Sequence, residues 1–161
     1  GHVTGVQTCA LPISPGPTTP RSERRNPAPA LIIARRVLFL VLIASMLAVT
    51  TWASLHTPIF AIPREVFTHP WFIATLFDAY WAFIAFYVWV AWKEQSAAAR
   101  VGWFIAIIAL GNIAMATYLL RELFAVPADG PLDPVFMRRN TGSVLLPVLL
   151  AVAGVGVYLL A

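Results

Sequence analysis

Charge, cysteine and recognisable chemical motifs are all scarce in this chain. Asp, Glu, Lys and Arg make up 11% of the residues and hydrophobic residues 60%, whereas a soluble chain of this size carries more charge. The single cysteine, Cys9, excludes an internal disulfide and a CxxC redox or metal pair. No cofactor, metal or nucleotide motif occurs, so the residues specify no catalytic group, cofactor or metal site. No polar stretch is long enough for a separate soluble domain within 161 residues. Methionine is also missing before Met46, which reads as an open-ended gene fragment.

The N-terminal residues divide in two. Residues 3–13, VTGVQTCALPI, look like the in-frame translation of a sequencing adapter, so residues 1–13 are expected to be artefactual, and Cys9 and His2 drop out with them. Residues 14–29 are rich in Pro and Arg without apolar periodicity and are expected to form a disordered basic tail. Beside an apolar helix such charge points to helix orientation and anionic headgroups rather than to nucleic acid.

What is abundant is long apolar runs. Between His69 and the Lys93-Glu94 pair that ends the run there is a single acid, Asp78, and a hydrocarbon core about 30 Å thick is crossed by roughly 20 helical residues. Residues 30–161 therefore read as an all-α integral membrane bundle of three to four transmembrane helices. Their expected extents are about 30–55, 70–92, 101–124 and 144–161, the last ending without a flanking charge. The first run is longer than the core of a cleavable or twin-arginine signal and is read as a retained anchor. Pro70 suits a first helical turn, where its missing donor costs nothing.

Lys and Arg counting gives the orientation. With the N-terminus inside, Arg21, Arg24, Arg25, Arg35, Arg36, Lys93 and Arg100 are cytoplasmic, and Arg64, Arg121, Arg138 and Arg139 lie outside. Seven against four favours a multi-pass protein of the bacterial inner membrane with a cytoplasmic N-terminus. Trp52, Phe60, Phe67 and Trp71 would then anchor the outer interface, and Trp89, Trp92 and Trp103 the inner one.

At about 100° per residue, Asp78 shares a face with Ala74, Thr75, Ala82 and Ala85, opposite Phe72, Leu76, Tyr80, Phe83 and Tyr87. Small residues let helices approach closely in lipid, so the acid is expected to point into the bundle and the aromatics toward lipid. The third run offers Asn112, Tyr118 and Arg121 as partners. Tyr118 and Arg121 are preferred because a cation suits a carboxylate better than an amide does; Asn112 would then lie level with Ser45. The four residues form the candidate intramembrane polar site. Its blander reading is an interhelical tether and its sharper one a proton or cation site. His56 and His69 lack a second ligand at helical spacing and read as interfacial. The aromatics around Tyr80 and Trp81 could line a quinone or pigment pocket, but a lipid-facing stripe accounts for them without a ligand.

The segment holding Pro70-Trp71, Ala74-Thr75-Leu76, Asp78, Tyr80, Val88-Trp89-Val90 and Lys93-Glu94 resembles small multi-helix membrane proteins of plants and bacteria catalogued as domain of unknown function 1475. The resemblance implies an integral membrane protein and transfers no catalytic residue. The leading function is a structural or accessory membrane protein, with the lipid bilayer and either its own copies or a larger membrane complex as partners. The alternative is a proton- or cation-coupled transporter or channel component using Asp78. A membrane enzyme would need ligands or a nucleophile that the sequence lacks.

Overall fold

The computed structural model describes residues 29–160, which are helical with no β-strand among them. The expected artefact, residues 1–13, and the expected basic tail, residues 14–29, lie outside the described residues except for Pro29, which begins α1. Helix α1 is Pro29–His56. It stops before Pro58, and a 3-10 turn, Ile59–Ala61, leads to the short α2, Arg64–Thr68. Pro70 opens α3, Pro70–Lys93. Ser96 caps α4, Ala97–Leu110, its hydroxyl accepting from the Ala99 amide at 3.5 Å. Then come α5, Asn112–Phe124, α6, Asp133–Met137, and α7, Leu145–Leu160.

The expected third helix is thus two helices, and they do not continue in line. At 1.5 Å per residue, Glu94 and Arg121 would stand about 40 Å apart along one straight rod, yet their side chains meet at 3.1 Å. The reversal falls at Gly111, with φ 53° and ψ −123°, a backbone conformation costly for any residue bearing a Cβ. A Cβ there would also lie 2.7 Å from the Phe83 ring. Hence α4 and α5 form a hairpin whose open end lies beside the C-terminus of α3.

Around this hairpin the other helices arrange in a simple order. α1 runs along α5 and α7 along α4. Gly102 approaches Pro147 and Gly154 approaches Ala109 and Leu110, so α7 and α4 run parallel. The core joins Val90, Trp103, Ala106, Ile107, Ala114, Tyr118 and Ala151, with Phe83, Phe86, Tyr87 and Trp89 packed against it. A second cluster ties Ile32 to Leu123, Val126 and Val135.

Among the described residues, only α1 and α3 are long and apolar enough to cross a membrane. The hairpin arms have 14 and 13 residues, about 20 Å each, short of a 30 Å hydrocarbon core; α7, with 16 residues, reaches about 24 Å. The three-to-four-span expectation therefore reduces to two helices of spanning length plus a folded-back pair and a shorter apolar helix. Much of the outer surface is apolar: Leu55, Trp71, Phe77, Trp81 and Val88 are between 63 and 81% exposed. Soluble monomers rarely leave contiguous apolar surface of this kind uncovered.

Candidate functional site: a buried ion-pair network

Two oppositely charged dipeptides meet at the open end of the hairpin. Lys93-Glu94 ends α3, and Arg121-Glu122 lies in the last turns of α5. They pair crosswise. Lys93 Nζ stands 2.7 Å from Glu122 Oε2, and Arg121 Nη1 stands 3.1 Å from Glu94 Oε1. Arg121 Nε lies a further 3.7 Å from Glu122 Oε1. Lys93, Glu94 and Glu122 are buried, and Arg121 is one-quarter exposed. Two cations against two carboxylates leave the cluster without net charge, the condition under which buried ions are tolerated.

Neutral groups complete the network. The Asn140 amide nitrogen donates to Glu94 Oε1 at 3.0 Å and to Glu122 Oε1 at 2.8 Å. The Tyr118 hydroxyl donates to Glu94 Oε1 at 3.2 Å, and Lys93 Nζ also donates to the Val135 carbonyl. The backbone fixes Asn140 in place: its amide donates to the Lys93 carbonyl at 2.9 Å, and the Gln95 amide donates to the Asn140 carbonyl at 3.1 Å. Trp103 stacks edge-on against Tyr118, with ring centroids 4.8 Å apart, so the expected interfacial anchor is a core residue. Nearby, Arg36 caps the C-terminal end of α5, donating to the Leu123 and Val126 carbonyls at 2.9 and 2.7 Å; a cation is favoured there.

Of the four residues expected to form one polar site, Tyr118 and Arg121 do come together, but around Glu94 rather than Asp78. Asp78 is exposed on α3 with Ala74, Thr75, Ala82 and Ala85, and has no hydrogen bond or ion pair among the described residues. The opposite, aromatic face is the one turned inward: Phe83 and Tyr87 pack on the core. The expected facing of α3 is therefore reversed, because the large rings cover more apolar surface than the alanines do. Asn112 is also exposed, beside the reversal at Gly111, without a polar partner among the described residues. Ser45, expected at its level, donates to its own helix at the Leu42 carbonyl.

Lys93, Glu94, Glu122 and Asn140 are not among the site residues expected from sequence. The signal that could have found them is the pair of complementary dipeptides, Lys-Glu and Arg-Glu, each beside an apolar run. The folded-back hairpin also corrects the charge count. Arg121, Arg138 and Arg139, assigned to the side opposite Lys93, lie at the same end as Arg35, Arg36, Lys93 and Arg100, leaving Arg64 as the one Lys or Arg at the other end among the described residues. Among the described residues no three of His, Cys, Asp and Glu gather where they could share a metal ion.

Two helices of membrane-crossing length and a short hairpin, fastened at one end by a charge-balanced network, define a small all-helical protein. The chain belongs to a protein family of unknown function, DUF1475, which matches residues 19–143. No curated protein and no solved structure matches it. The match takes in α1 to α6 and all six residues of the network; α7 lies beyond it.

Proposed function

We propose that the chain is an integral membrane protein of structural or accessory role, assembling with other membrane helices, its basic end cytoplasmic. In this reading α1 and α3 cross the bilayer, while the α4–α5 hairpin and α7 enter from the cytoplasmic side. The observation that carries it is the crosswise pairing of Lys93 with Glu122 and Arg121 with Glu94. That pairing commits the buried charges to one another and leaves an outer surface that is largely apolar. Segregated cations support the orientation: among the described residues seven lie at the basic end and one at the other, as positive-inside bias requires.

Two measurements test this. The protein should resist alkaline carbonate extraction from membranes. In a Cys9→Ser background, a cysteine at Thr57 should be labelled from outside the cell, while cysteines at Ser96 and Met137 should be protected. Met137 is the discriminating site, because a third crossing helix would expose it. Labelling at Met137, or its absence at Thr57, overturns the arrangement.

The second reading, a proton- or cation-coupled component, is favoured by one observation, the unpaired carboxylate of Asp78 in the apolar stretch of α3. It needs water against the outer face of α3, and so a path built between copies. Reconstituted vesicles should take up protons no faster than protein-free ones. A flux that disappears in Asp78→Asn would replace the structural reading with this one.

A further inference from the structure

Asp78 lies eight residues into α3, about 12 Å along the helix, and is the only charged residue of that helix before Lys93. Ala74, Thr75, Ala82 and Ala85 share its exposed face, with Trp71 and Trp81 standing beside them 77% and 64% exposed. The Thr75 hydroxyl is already turned to its own helix, donating to the Trp71 carbonyl at 2.8 Å, so it does not serve the acid. In hydrocarbon a carboxylate is among the costliest groups to leave without a partner. The small side chains around it admit a helix backbone at close range.

The described residues do not supply the counterion themselves. Of the eight Lys and Arg among them, seven lie at the opposite end of α3, and Arg64 lies beyond its N-terminus. A second copy laid face to face would bring acid against acid. Resting on the membrane reading above, we propose that the Asp78 face of α3 docks a transmembrane helix of a different protein, one that carries a basic side chain about two turns below its outer end. The charge selects the partner, and the alanines set the distance of approach.

The test uses the full chain in lipid nanodiscs and a synthetic apolar transmembrane peptide with a single Lys at that depth, alongside peptides with Leu there or with the Lys near the inner end. Association is read by energy transfer between labels. The matched Lys peptide should bind about tenfold more tightly than the Leu peptide. That preference should vanish in Asp78→Asn and Asp78→Ala and survive in Asp78→Glu. Equal binding of all three peptides, or a preference that persists in Asp78→Asn, overturns the proposal. So does self-association that Asp78→Asn abolishes, which would make a second copy the occupant. Carbonate extraction separates the two levels of failure: a chain washed from membranes defeats the membrane reading itself, whereas a retained chain with no peptide preference defeats only the proposed partner.

Discussion

Removing one member of a buried ion pair costs more than removing both, because the survivor stays charged without a counterion. Lys93→Met leaves Glu122 with the Asn140 amide and a distant Arg121 Nε, and should lose about 3–5 kcal/mol of stability. The double variant Lys93→Met with Glu122→Leu should recover most of that loss, and a thermal-denaturation cycle in detergent measures the coupling. Strictly additive losses would show that the pair is not a unit. Sequence made part of this network legible. Tyr118 and Arg121 stand out as polar groups in an apolar run, and sequence alone offers them as partners for Asp78. They meet Glu94 instead, since a helical wheel says which residues share a face without saying which face the neighbours occupy. For α3 the decision fell to Phe83, Phe86, Tyr87 and Trp89, whose packing on the core outweighed the closer approach that the Asp78 stripe permits.

Hydropathy marks an apolar run but not its reversal, which is why residues 101–124 read as one helix. A glycine inside such a run is tolerated, and only its φ of 53° reveals the turn. Gly111→Ala should therefore cost on the order of 1–3 kcal/mol from backbone strain, with further loss from the Cβ lying 2.7 Å from Phe83. Adding Phe83→Leu should restore the second part and not the first. The α4–α7 contact gives a cleaner comparison. Gly154→Ala drives a methyl to 2.8 Å from the Ala109 Cβ, whereas Gly156→Ala meets nothing within 4 Å. The first should lower the melting temperature and the second should leave it unchanged or raise it slightly, as replacing a helical glycine does in open space. Pro70 opens α3, whereas α4, capped by Ser96, begins at Ala97, four residues before the start expected at 101, because a hydroxyl cap leaves no mark in hydropathy.

For the whole molecule the organising asymmetry is electrostatic. Seven cations and four acids gather at the basic end among the described residues, an excess of three, while Arg64 and Glu65 balance at the other. Within the network the charges cancel, so the excess belongs to the rim. Arg138 and Arg139 are exposed there, and Arg139 lies over the Trp92 ring at 4.9 Å. Anionic phospholipid should accordingly raise the melting temperature of the protein by a few degrees over zwitterionic lipid. The gain should shrink as salt rises and in the Arg138→Gln, Arg139→Gln variant; a gain indifferent to salt would rule out a headgroup origin. The folded-back hairpin has one more consequence, for biogenesis. In the proposed arrangement the machinery that inserts the nascent chain must carry only the short connector between α1 and α3 across the bilayer. Arg64 and Glu65, adjacent and opposite in sign, are the only Lys, Arg, Asp or Glu residues in that cargo. Every later Lys and Arg stays on the side where the ribosome works, so the ion-pair network can close without any of its charges having crossed the membrane.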